Sequence, residues 1–342
     1  MDKYDKLFYL RKDRQNRLIP MVSAVDDDGK FHAWLVKGND IIDWPVIDLR
    51  EGEYFAKVAA SDKDIYFDFL NFLYQRNTCS AVFPMVGYIT NDMRNLAASL
   101  RKIELFYEIS HKENVTRLIV SELEYILTVC RSLYDHFQFI VKHIWAGVKL
   151  MDSSIKRNSL SDSFSAMVLK GNQIRTVEEI AKTYGLTASL AKFYSDETAF
   201  FERLRSFRDD IVHRGLTPGY IYVTERGFSV EKEDKFFSSF NVWTPKCFYK
   251  NDRLASLKPV IAHIIQETLS TMGRFALTLQ QQIKYPEDIA PGYHIFMRGE
   301  YLHKLAELDS YIKDDVWYSD SVEGAVVQEK TLIRSADCGF RE

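Results

Sequence analysis

The stretch from Asp196 to Gly215, DETAFFERLRSFRDDIVHRG, closes on Arg208, Asp209, His213 and a glycine. Arginine is a permanently charged planar donor that grips phosphate through two parallel N–H bonds, and histidine gains or loses a proton near neutral pH. Together they can hold a phosphate and move a proton beside it. Phe200, Leu204, Phe207 and Ile211 recur at steps of four, three and four, which predicts a helix with one apolar stripe facing a core. Ser195 or Asp196 can cap its start, Glu197 suits its first turn, and Gly215 can take the left-handed conformation that ends it. Asp209 stands one turn before His213, so its carboxylate can hold an imidazole nitrogen. Arg208 and His213 are five residues apart and diverge by roughly 140° on a regular helix.

Other chemistry-bearing residues have simpler readings. Asp26, Asp27 and Asp28 before Gly29 lack the alternating spacing and closing glutamate of a helix-flanked calcium loop, and predict a β-hairpin turn. His136 and His143 fall seven apart on nearly one helical face but have no convincing third ligand, so hydrogen-bonded histidines are expected and no metal or other cofactor. Cys79, Cys130, Cys247 and Cys338 are far apart and read as reduced thiols. Phe236, Phe237, Phe240, Trp243, Phe248 and Tyr249 interleave with Lys232, Lys235, Lys246 and Lys250. That mixture can stack single-stranded bases, although buried loop aromatics are the commoner reason for it.

The elements that must position these residues are mostly helical. The first 60 or so residues predict strand and loop, with the hairpin at Asp26–Gly29; Ser61 or Asp62 then caps a short helix carrying Ile65, Phe69, Phe72 and Leu73. Residues 79 to 89 read as a strand. A helix follows from Asn91 towards Ser110, and another from Asn114 to Leu150 is apolar almost all round, as a central helix must be. Thr176 with Glu179 makes a capping box, and a helix ends before Gly185. TVEEIAKTYGLTASLAKFY has the outline of a helix-turn-helix, but its second half offers no Arg, Asn or Gln to read base edges, so DNA binding is not expected. After Leu216-Thr217-Pro218-Gly219 a hairpin spans Tyr220 to Glu231, and a helix from Asp252 to about Ile283 closes the region. The tail predicts a helix near Glu300 to Ile312 and strands at Val316–Tyr318 and Val326–Ile333 that complete the N-terminal sheet.

The Arg208-Asp209-x3-His213 pattern at the end of a core helix resembles the mark of HEPN domains, helical bundles in which an arginine, a polar residue, a short spacer and a histidine recur. The resemblance covers the helical core only. It implies a HEPN-like bundle over 90–284; with the β-hairpin read as an insertion at about 219–250 and mixed α/β segments at 1–89 and 285–342, the expected fold is mostly α. It also implies a metal-independent ribonuclease acting on single-stranded RNA, in which a homodimer brings two motifs together across a two-fold axis. His213 would then be the acid/base, Arg208 the phosphate ligand, and Asp209 the residue that holds the imidazole. The alternative is a non-catalytic nucleotide- or RNA-binding or dimerisation module. The net charge of −3 supplies no overall attraction for nucleic acid, so any RNA contact must be local. With charges through the N-terminus and no run long enough to span a membrane, a cytoplasmic protein is expected.

Overall fold

The fold is that of a computed structural model that describes residues 3–13, 19–214, 220–249 and 252–320, with the backbone alone for Pro45 and residues 210–214. It is mostly helical, at 51%, and its strands are spread along the chain rather than confined to one hairpin. The helices in chain order are α1 (Asp68–Arg76), α2 (Phe83–Ile109), α3 (Thr116–Gly147), α4 (Phe164–Val168), α5 (Val177–Tyr184), α6 (Ala188–Arg214), α7 (Lys235–Ser238), α8 (Lys258–Gln280), α9 (His303–Ala306) and α10 (Leu308–Lys313). The chain divides into two compact units, one of residues 1–98, 129–204 and 268–306 and the other of 99–128, 205–267 and 307–342.

The first unit contains a six-stranded sheet. Its strands are β1 (Ser23–Val25), β2 (Phe31–Lys37), β3 (Asp40–Pro45), β4 (Gly52–Ala56), β5 (Ile65–Tyr66) and, far along the chain, His294–Arg298, in the order β3-β2-β1-β4-(His294–Arg298)-β5. The expected turn at Asp26 is present. Gly29 takes φ +80°, and Asp26 Oδ1 accepts the N–H groups of Asp28 and Lys30 at 3.0 and 2.9 Å. A late strand does complete the N-terminal sheet, but it is His294–Arg298 and not Val316–Tyr318, which forms no strand. Arg298 fixes it there, holding the buried Asp64 carboxylate with two bonds of 2.8 and 2.7 Å. The helical part of this unit has an aromatic centre in which Tyr134, Phe164, Tyr194 and Phe201 pack edge to face or tilted.

The second unit contains a four-stranded antiparallel sheet of Tyr222–Thr224, Gly227–Glu231, Phe248–Tyr249 and Leu254–Ser256. The hairpin predicted after residue 220 is two of these strands. The segment from Asp252 is a turn and a strand, and α8 begins only at Lys258, with Pro259 in the first turn where its missing N–H costs nothing. Trp317 is fully buried beside Cys247 and Val316, its indole N–H donating to the Lys246 carbonyl at 2.9 Å.

Several expectations are corrected. Residues 83–89 belong to α2: Val82, Val86, Ile89, Met93 and Leu96 are all buried at steps of four, three, four and three, a helical stripe that continues the one seen from Met93. Ile65 lies in β5, and α1 starts at Asp68 after Phe67, with no cap from Ser61 or Asp62. The helix expected from Asp196 is part of α6, which begins at Ala188, where the Thr187 hydroxyl accepts the Leu190 N–H at 3.2 Å. The long central helix stops at Gly147, and the tail holds two short helices, α9 and α10, in place of one. The expected cap at Gly215, the break at 216–219, the strand at 326–333 and Cys338 lie outside the described residues.

Gly185 ends α5 as read from the sequence, at φ +60°, and a Cβ there would meet the Lys156 carbonyl oxygen at 2.1 Å. Gly185→Ala is expected to destabilise the protein by more than about 1 kcal/mol, since both the backbone conformation and the space forbid a side chain. Urea unfolding of the variant against wild type measures it.

In the first hairpin, both nitrogens of His32 face carboxylates, Nε2 on Asp26 Oδ2 at 2.8 Å and Nδ1 on Asp43 Oδ2 at 3.1 Å. Only the imidazolium can donate to both. Partial burial pulls the ring's pKa down, but the bonds to Asp26 and Asp43 outweigh it and raise the value. Asp26 is held below the usual carboxylate range, first by its bond to His32 and then by the Lys30 N–H. The histidine contribution to stability is therefore full below about pH 6.5 and lost as pH rises through the raised folded value. The Asp26 contribution is lost instead as pH falls through its lowered one. Wild type should lose urea resistance as pH rises from about 6.5 through the raised folded value, and His32→Asn should lose less.

Candidate functional site

Arg208 and Asp209 stand in the last two turns of α6, in the second unit. Both side chains are partly exposed. The Arg208 guanidinium donates to Asp209 Oδ1 at 3.1 Å, and Arg205 Nε lies 3.7 Å from Oδ2 of the same carboxylate. Arg205 is four residues before Asp209 and faces it as an i, i+4 pair. The carboxylate is thus flanked by two guanidinium groups, one on each oxygen. The pairing of Asp209 with His213 expected from their spacing rests on a side chain outside the described residues; the partners Asp209 does have are Arg205 and Arg208.

The backbone of α6 remains helical through Arg214. Arg208 and His213 therefore keep their five-residue separation on a continuous helix, with Cα–Cβ directions roughly 140° apart. One chain does not bring the two onto one face. Among the described residues an aromatic stack holds this end: the Phe207 ring lies on Phe236, at the start of α7, with centroids 3.6 Å apart and planes 16° from parallel. Asp234 caps α7 by accepting the Phe236 and Phe237 N–H groups at 2.9 and 3.0 Å. Phe236 also meets the buried rings of Phe237 and Phe240 edge-on.

The aromatic run after residue 235 is consequently spent on packing. Trp243 donates to the Ser256 carbonyl at 2.8 Å, and Lys232 sits 4.5 Å above the Phe248 ring. The periodicity of α6 pointed to Phe207 as a core residue. Its partner Phe236 lies 29 residues away across a predicted hairpin, and no sequence signal joins the two.

The two singled-out histidines of α3 are engaged elsewhere, in the first unit. His136 Nδ1 lies 3.3 Å from Asp92 Oδ2, and His143 Nδ1 lies 2.8 Å from the Phe139 carbonyl one turn earlier. Among the described residues no group of three or more His, Cys, Asp or Glu side chains could hold a metal ion, and no helix is long and apolar enough to cross a membrane. Comparison of the chain with family models, with curated proteins and with solved structures finds no match.

Because the Phe207–Phe236 stack is what anchors the end of α6 in its unit, Phe236→Ala is expected to cost at least about 1 kcal/mol. Hydrogen exchange at the amides of residues 205–209 should accelerate, while amides of α5 should not change. Unaltered exchange at 205–209 would place the anchor elsewhere.

Proposed function

We propose that the end of α6 carries half of a metal-independent RNA-cutting site of the HEPN kind, completed by a second copy of the chain. The observation that supports it is the charge balance at Asp209. Two guanidinium groups share the Asp209 carboxylate, so these three half-exposed side chains together keep one positive charge. The bond to Asp209 uses one of the five N–H donors of Arg208, and the planar group has others for a phosphate.

Cleaving RNA without a metal requires a base for the 2′-hydroxyl proton, an acid for the departing 5′ oxygen, and positive donors on the phosphate. A single Arg208/His213 pair is too few groups, and its members diverge around the helix. Two copies related by a two-fold axis supply two histidines and two arginines, one from each chain facing the other's. In this arrangement His213 moves the proton, Arg208 grips the phosphate, and Asp209 orients Arg208 in concert with Arg205.

A second reading has one observation in its favour. Asp209 is bonded to its own helix neighbours, as in a charge staple that only stiffens an interaction surface. That would make the unit a non-catalytic binding or dimerisation module.

The two readings part in a cleavage assay with purified protein and mixed single-stranded RNA in EDTA. The enzyme reading expects 2′,3′-cyclic phosphate ends, their loss by a factor of at least about 100 in His213→Ala, and little rescue of Arg208→Ala by Arg208→Lys, because an ammonium cannot make the two-pronged contact. Equal cleavage by wild type and His213→Ala would end it. No cleavage by a protein shown to be dimeric would favour the binding module.

A further inference from the structure

The first unit has a cleft of about 540 Å³ where the end of α3 meets residues 157–160. Lys142, His143, Arg157 and Ser159 contribute its polar lining and Trp145 and Leu160 its apolar part. Among the described residues no carboxylate lines it, the nearest partner of a lining group being Asp162 on Lys142. We propose that this cleft binds a small phosphate monoester, with Lys142 and Arg157 on the phosphate and His143 accepting a hydroxyl of the ligand.

Each group is held in a state suited to that task. Arg157 donates Nη1 to the Trp145 carbonyl at 2.7 Å, which fixes the guanidinium at the cleft and leaves further N–H donors on the same plane. Lys142 pairs with Asp162 at 2.5 Å, but Asp162 is 76% exposed, and an ion pair that wet is weak enough for a phosphate to compete for the ammonium. His143 directs Nδ1 at the Phe139 carbonyl, 2.8 Å away. With Nδ1 committed to that carbonyl, Nε2 is the ring nitrogen left for a hydroxyl of the ligand. The Ser159 hydroxyl has only a long contact of 3.4 Å with the Leu160 carbonyl, so it too can turn to a ligand.

One effect opposes an anion here. The cleft lies at a helix C-terminus, where free carbonyls carry about half a negative charge. Arg157 takes the Trp145 carbonyl, and the Val148 N–H takes that of Ile144 at 3.2 Å, so two of the terminal carbonyls are already satisfied. Against the remainder stand Arg157 and Lys142, the second partly offset by the exposed Asp162 until a phosphate competes for the ammonium, and the balance favours phosphate. The volume is also that of a small-molecule site rather than a nucleic-acid track. The Trp145 ring is buried, with its N–H given to the Asn158 carbonyl at 3.2 Å, so it supplies a wall and not a stacking platform for bases.

The test is calorimetric titration of the full chain with glycerol 3-phosphate as probe, and with glycerol as its uncharged control. Saturable one-to-one binding of the phosphate, none of glycerol, and a loss of about tenfold in affinity in both Lys142→Ala and His143→Ala are expected. Circular dichroism of the two variants should match wild type; Arg157 is left intact because it also caps α3. Failure of the phosphate to saturate, or equal affinity in wild type and Lys142→Ala, would overturn the proposal. So would tighter binding of a short single-stranded RNA that Lys142→Ala abolishes, since the cleft would then serve nucleic acid. None of these outcomes depends on His213 or Arg208, so the RNA-cleavage assay stands or falls separately.

Discussion

Glu197 is a buried carboxylate in the middle of α6, and a buried charge is tolerated only if it is paired and bonded. Arg274 of α8 meets it with two parallel bonds, Nε to Oε1 at 2.7 Å and Nη2 to Oε2 at 2.8 Å, and the Thr271 hydroxyl adds a third at 2.8 Å. The Tyr134 hydroxyl of α3 lies 3.0 Å from that same threonine oxygen. Three helices are thereby registered on one carboxylate within the first unit. Loss of Arg274 alone would strand the charge at a cost of several kcal/mol, reduced by the partial exposure of the guanidinium. A few residues earlier on α6, Tyr194 repeats the device with a neutral pair, donating to Gln138 Oε1 at 2.8 Å while Gln138 donates to the Ser161 carbonyl at 3.0 Å. The rotation of α6 about its own axis is set by these polar contacts, and the apolar stripe then follows.

What the sequence made legible is what short-range chemistry decides. The Thr176–Glu179 box forms as read, each side chain bonded to the other's backbone N–H at 3.2 and 2.9 Å, because all its partners lie within one turn. The Asp26–Gly29 turn is decided in the same way by an aspartate that bonds its own loop. The reading of Glu197 as a first-turn residue failed for the complementary reason. Its bonding partner, Arg274, is 77 residues away, and without it the charge-rich SDET run looks like a helix start. In the structure Asp196 sits inside α6 as the i, i+4 partner of Lys192, at 2.7 Å, and the start is eight residues earlier.

The same contrast separates the strands from the helices. The apolar run after residue 79 is too short for its own composition to choose between strand and helix; the choice lies with the stripe that Val82 begins and α2 continues for 27 residues. Strand His294–Arg298 was missed because its identity depends on partners in β4 and β5, more than 200 residues upstream, and on the Arg298–Asp64 pair that secures it. An interior strand of a six-stranded sheet is specified by both neighbours at once, and here neither is local.

The candidate sites divide along the same line. Arg208, Asp209 and His213 stand out by residue type at the end of one helix, but the partners of Asp209 could not be read there, since helix periodicity offers it both His213 four residues forward and Arg205 four residues back. The contacts among the described residues are those to Arg205 and Arg208, and both partners carry a permanent charge. An aspartate flanked by two arginines is a better orienter of guanidinium than of imidazole. It follows that if phosphate chemistry occurs at this helix end, one residue that Asp209 prepares is Arg208, whose guanidinium it holds at 3.1 Å while Arg205 faces its other oxygen.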